Sequence, residues 1–212
     1  MPQKFDPSQN KTNPAHTSAT ELLPAESTGH LEEIVEQIAG GLYSLASMLL
    51  GEGDHSERLV EKAIADAEIS VCQDPQEARQ SSLRALSAAA LDLLAVNSSE
   101  NLAAPEGLAP ASICIDDDDL ASAGISSEEL GNMISGPERD RVRKWLASLP
   151  TAMRTVFILR AVAGFSAIET ATLLKAHGGP QAAAWTPEAT REVFRQGLCS
   201  LASQLLHASA ER

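Results

Sequence analysis

Four residues near the C-terminus have types and spacing suited to meeting a nucleic acid: Thr186, Thr190, Arg191 and Arg195. Thr186-Pro187 reads as a helix start, because Thr is a good N-cap and Pro is favoured at the first helical position. Arg191 and Arg195 then stand i,i+4 on one face near the start of that helix, where a recognition helix meets base edges or phosphates. The hydroxyls of Thr186 and Thr190 could donate to a phosphate at the helix N-terminus. Two plainer readings stand beside this one. The arginines could simply pair with Glu188 and Glu192 in solvent, and Thr186 could serve only as a cap.

Other chemistry has little to rest on. His30, His55, His177 and His207 share no metal-ligand spacing, and no Ser/His/Asp grouping, Gly-rich phosphate loop or paired metal carboxylate stands out. An enzyme is therefore not expected, and no cofactor or metal is implied. Cys72, Cys114 and Cys199 are odd in number and widely spaced. They are expected to be reduced thiols of a cytoplasmic protein. The run Asp116-Asp117-Asp118-Asp119 reads as a solvated linker, with mimicry of nucleic acid or contact with a basic partner as the alternative.

The elements that must position these residues are all expected to be helical. Leu31, Ile34, Val35, Ile38, Leu42, Leu45 and Leu49 recur at helical spacing up to Gly51. Asp54-His-Ser-Glu57 resembles a capping box opening a second helix with Leu59, Val60, Ala63, Ile64 and Ala67 on one face. Asp74-Pro75 opens a third, which continues to about Val96. Residues 97–136 form an acidic linker, with a short helical turn over Glu128–Met133. Beyond it come helices over Pro137–Leu149, Thr151–Ala163, a capped stretch from Ser166-Ala-Ile-Glu169 to about Ala176, and a last helix from Thr186-Pro187 to about His207. Trp145, Phe157, Phe165 and Phe194 read as core, and His177–Trp185 as a projecting loop. A short helix, a break and a longer helix make a helix-turn-helix pattern.

Composition agrees. The 212 residues are 43% hydrophobic but only 3% aromatic, and that share is mostly Ala and Leu, which favour helix over strand. No apolar run approaches a membrane span, so no membrane partner is expected. The start is rich in Pro, Ser, Thr and Asn and lacks a signal-peptide form, so residues 1–28 read as a disordered tail. The expected organisation is two small helical modules, 29–96 and 137–212, joined by the linker. The net charge of −13 is unevenly spread: residues 137–212 hold 10 basic and 6 acidic residues, a net of +4, and residues 1–136 are −17. Such asymmetry points to different partners for the two halves.

The stretch SLPTAMRTVFILRAVAGFSAIETATLL resembles region 4 of the sigma-70 family of RNA polymerase sigma factors, especially the extracytoplasmic-function (ECF) type. The matching residues are Leu149, Pro150, Arg154, Val156, Phe157, Leu159, Arg160, Gly164, Ser166, Glu169, Ala171 and Leu174, and the following helix lines up from Glu188 to Leu201. LYSLASMLLGEGDHSERLVEKAIADA is similar to region 2 at Leu42, Tyr43, Leu49, Leu50, Gly51, Glu57, Leu59 and Val60, as are Arg84 and Asp92 further on. The chain departs from the family at several places. Ser81, Ser82 and Leu83 stand where the family has promoter-opening aromatics, Ser87-Ala88 replace Arg-Asn, and Arg58 and Glu61 replace Asp and Gln. His177–Trp185 replaces a turn that is usually about 3–4 residues. Residues 30–96 hold 4 basic and 12 acidic residues, a surface that repels phosphate.

The resemblance implies a divergent ECF-like sigma factor in the cytoplasm. It would bind the RNA polymerase core and direct it to promoter DNA in transcription initiation, with an anti-sigma or other regulatory protein as a further partner. Glu57, Leu59, Val60 and Glu61 would then bind polymerase, and Thr186, Thr190, Arg191 and Arg195 DNA. The alternative is a degenerate sigma-fold protein-interaction module that regulates transcription without opening promoters.

Overall fold

The computed structural model describes residues 25–67, 74–97, 102–105 and 139–210. Every regular element among them is a helix: α1 (Ala25–Leu50), α2 (Asp54–Asp66), α3 (Pro75–Val96), α4 (Arg139–Ser148), α5 (Thr151–Ala161), α6 (Ala167–His177), a 3-10 turn (Pro180–Ala184) and α7 (Pro187–Ala210). The chain is all-α over this span. Asp116–Asp119 and the turn expected over 128–133 lie outside the described residues, as do residues 1–24.

α1 begins at Ala25, ahead of the expected start and inside the expected tail. Pro24 directly precedes it, and Ala25 and Glu26 favour helix enough to carry the chain past Gly29. At α2 the capping box does not form: Gly53 takes the N-cap position and no side chain caps the helix. Asp54 and Glu57 instead lie in the first turn, where negative charge suits the helix dipole. Ser56 secures this corner by donating to the Gly51 carbonyl at 2.6 Å. At α3 the expected cap is present, Asp74 accepting from the backbone N–H of Gln76 at 2.8 Å and of Glu77 at 3.3 Å.

The helices bury their periodic apolar faces. α1, α2 and α3 pack mutually around Leu42, Leu45, Leu59, Leu86 and Leu91. α5 packs on α7, and α6 on α7, around Val156, Phe157, Leu159, Leu174 and Phe194. Trp145 meets Phe157 edge-on with centroids 4.9 Å apart, and Phe157 meets Phe194 at 5.4 Å. All four aromatics expected in the core are there. The two sets of helices share one continuous core, because α3 lies against α6 and α1 touches α5.

The segment 177–185 does not project. Ala182 and Trp185 are both 0% exposed. A Cβ on Gly178 would lie 2.6 Å from the Leu174 carbonyl oxygen and 2.6 Å from the Ala182 Cβ, and Gly179 adopts φ 74°. Two glycines in succession therefore let the 3-10 turn fold back tightly on the end of α6.

The expectation of three reduced thiols is corrected at Cys199, which is disulfide-bonded; its partner lies outside the described residues. Sequence spacing does not report which cysteines are neighbours in space. Among the described residues, no helix is long and apolar enough to cross a membrane.

Candidate nucleic-acid interface

α6, the folded-back turn and the first turns of α7 form the surface on which the expected DNA contacts fall. Local chemistry sets each end. Ser166 caps α6 in a reciprocal box: the Glu169 N–H donates to Ser166 Oγ at 3.2 Å, and the Ser166 N–H donates to a Glu169 carboxylate oxygen at 2.9 Å. That backbone hydrogen bond, then the Ser166 hydroxyl, hold the Glu169 carboxyl below its ordinary value, with slight burial opposing and Arg84 assisting. A carboxylate depressed on folding contributes its stability above the unfolded value of 4.5, and the contribution is lost as pH falls through the folded value. Ser166→Ala is expected to remove about 1 kcal/mol. That corresponds to a melting temperature lower by roughly 2–4 °C in a chain of this size, measured by circular dichroism at neutral pH. The deficit should shrink in acid, where Glu169 is protonated and its half of the box is gone.

Thr186 caps α7, its exposed hydroxyl oxygen accepting from the Ala189 N–H at 3.1 Å. Thr190 stands elsewhere than expected. It is 0% exposed, and its hydroxyl donates to the Thr186 carbonyl at 3.0 Å, so it faces the core and offers nothing to a phosphate. Arg191 is exposed and lies 3.6 Å from Glu188. Arg195 is only 21% exposed and is paired with Glu192. Glu188, at the solvent, is held below its ordinary value by its backbone hydrogen bond, the Thr186 hydroxyl, Arg191 and Lys175. Arg160 lies over the Phe194 ring at 4.9 Å and donates to the Phe165 carbonyl, so it braces the core.

The residues expected to meet polymerase split the same way. Glu57 and Glu61 are exposed one helical turn apart on α2. Leu59 and Val60 are buried and hold α2 to its neighbours.

Several charged residues outside both sets act between the two halves. Arg84 of α3 pairs with Glu169 of α6 at 2.8 Å, and Asp92 of α3 meets His177 of α6 at 3.2 Å. The partners are eight residues apart on both helices, so α3 and α6 run parallel. Glu52, after α1, pairs with Arg143 of α4. The Trp185 indole N–H donates at 2.7 Å to the carbonyl of Leu102. No local pattern announces these contacts. Among the described residues, no group of histidines, cysteines and carboxylates could hold a metal ion.

Comparison with family models, with curated proteins and with solved structures finds no match to this chain.

Proposed function

We propose that this chain is a divergent, ECF-like sigma-fold transcription protein that acts with the RNA polymerase core. In this reading its C-terminal half meets promoter DNA through α6 and α7 as a helix-turn-helix. The observation that carries it is the order at the C-terminus: a capped short helix, a compact break and a long helix opening with Thr186 and presenting Arg191 at the solvent. The resemblance of residues 149–201 to sigma region 4, and the net charge of +4 on residues 137–212, support the same reading.

The pairing of Arg191 with Glu188 and of Arg195 with Glu192 favours a second reading, in which the sigma fold serves protein contacts and opens no promoter. The polymerase core, or an anti-sigma or other regulatory protein, would be the partner, met through the exposed Glu57 and Glu61 face.

Two measurements decide. In the first reading, purified protein added to core polymerase starts transcripts from promoter DNA; in the second, it binds the core and starts none. A salt titration of duplex binding follows. With Arg191 and Arg195 as the only cations of α7, and each beside a glutamate, affinity should fall on a shallow slope, about 0.9 log units per log unit of salt for each phosphate contacted. Replacing Arg191 and Arg195 with Ala should remove most of the binding. If that double variant binds duplex as well as the unaltered chain, α7 is not the recognition helix.

A further inference from the structure

We propose that the cleft where α1, α3, α4 and α5 meet binds a small zwitterion with an apolar side chain, of the class of the free α-amino acids. This site lies apart from the α6–α7 face and does not rest on DNA binding.

Helix ends shape the cleft. α1 stops at Leu50, where Gly51 turns the chain with φ 91°, and α3 stops at Val96 with Asn97 at its end. α4 contributes Arg143 and Leu146, and the first turn of α5 contributes Arg154. The space between them measures about 550 Å3 and opens to solvent. Sites for small molecules usually hold about 300–1,000 Å3.

The lining is of three kinds. Met48, Leu49, Leu94 and Leu146 belong to the core and turn an edge to the cleft as an apolar floor. Arg143 and Arg154, both half-buried, bring positive charge. Negative charge comes from the Glu52 carboxylate and from the helix ends. The last carbonyls of a helix have no partner within it and carry the negative end of its dipole. Neither α1 nor α3 has a basic residue in its last turn to offset this.

A ligand with both charges suits such a lining better than one with either alone. A simple anion would meet the carbonyl ends and Glu52, and a simple cation would meet the two arginines. In a zwitterion, the carboxylate takes a charge-assisted hydrogen bond from a guanidinium, whose five N–H donors can serve more than one acceptor. The ammonium, which only donates, suits Glu52 and the helix carbonyls. The apolar side chain then lies on the leucine and methionine floor.

The mouth is already set out for this exchange. Glu52 and Arg143 come from the two halves of the chain and pair with each other across it. Ion pairs whose side chains reach solvent are weak, so a ligand can part them easily. Its carboxylate replaces Glu52 at Arg143, and its ammonium replaces Arg143 at Glu52.

The test uses the full chain with L-leucine, L-methionine and L-phenylalanine as probes. Two analogues of leucine serve as controls: 4-methylpentanoate, which lacks the ammonium, and 3-methylbutylamine, which lacks the carboxylate. In a proton–nitrogen chemical-shift titration, at least one amino acid at millimolar concentration should move the amides of residues 47–52, 94–97 and 143–147. At ten times its dissociation constant it should raise the melting temperature by about 3–5 °C. Each analogue should bind about ten-fold more weakly than leucine. Glu52→Gln and Arg143→Gln should each weaken amino-acid binding about ten-fold. Glu52→Gln should spare 4-methylpentanoate, and Arg143→Gln should spare 3-methylbutylamine. If no amino acid moves these amides, the site is overturned. If either analogue binds as tightly as leucine, the zwitterion assignment is overturned. If an amino acid binds and neither variant weakens it, binding lies elsewhere and the cleft assignment is overturned. Should a variant loosen the chain by circular dichroism, the analogue series on the unaltered protein decides.

Discussion

Replacing Trp185 with Ala is expected to remove about 4 kcal/mol of folding stability, the largest loss of any single side chain in the second half of the protein. Large-to-small substitution of a buried aromatic residue typically costs about 3–5 kcal/mol, from lost transfer energy and the cavity left behind. Trp185 has the largest of the fully buried side chains. The change also strips the Leu102 carbonyl of its partner, a further cost of roughly 1–3 kcal/mol that water entering the cavity would partly offset. Against a typical total of about 5–15 kcal/mol, this places the variant near its unfolding midpoint at modest urea. Urea titration by circular dichroism should show a much lower midpoint with an unchanged slope. Trp145 provides the control. Trp145→Phe keeps a ring against Phe157 but loses the half-buried hydrogen bond to Ser200 at 3.0 Å and part of the buried indole, so about 2 kcal/mol is expected. Comparable losses for Trp185→Ala and Trp145→Phe would mean that the turn is not anchored as described.

The contrast between these tryptophans shows what the sequence could reveal. Trp145 lies on an amphipathic stripe with Val142, Leu146 and Leu149, so its burial follows from helical periodicity. Trp185 follows Gly-Gly-Pro-Gln and three alanines, a stretch with no amphipathic stripe, and the carbonyl it binds is 83 residues away. Local pattern carries no information about such a partner. Caps divided along the same line. Asp74, Ser166 and Thr186 were legible because each acts on a backbone N–H two or three residues on. The α2 start was misplaced by one residue because Gly53 and Asp54 are both plausible first positions and tertiary packing chose between them.

The candidate site was legible in part. That Arg191 and Arg195 would find Glu188 and Glu192 follows from i,i+3 spacing. The burial of Thr190 also had a signal: it is the first member of the stripe Thr190, Val193, Phe194, Gly197, Leu198 and Leu201, all buried. Likewise Leu59 and Val60 belong to the apolar face of α2, with Ser56 and Ala63. Resemblance to a family gave both sets a role at an interface, but the periodicity of this chain places Thr190, Leu59 and Val60 inside.

That stripe supports the second large expectation. Gly197→Leu should destabilise the protein by about 3 kcal/mol, although it replaces a poor helix former with a good one. Glycine inside an exposed helix is worse than alanine by about 1 kcal/mol, so on propensity alone the change would stabilise α7. At Gly197 α7 instead passes close against the aromatic core: a Cβ there would lie 2.7 Å from Cδ2 of Phe157. That ring cannot easily turn aside, since it is 0% exposed and held between Trp145 and Phe194. Even Gly197→Ala should be mildly destabilising, because overpacking of about 1–3 kcal/mol exceeds the propensity gain. A double-mutant cycle isolates the cause. Phe157→Ala alone leaves a cavity, but combined with Gly197→Leu the new side chain fills part of it, so the pair should lose at least 1 kcal/mol less than the sum of the singles. If Gly197→Ala raises the urea midpoint, α7 does not pack this closely on α5. The same contact sets where Arg191 and Arg195 stand, because the helix that carries them is seated on Phe157 through Gly197. In a Gly197→Ala chain that remains folded, duplex binding should therefore weaken with both arginines intact.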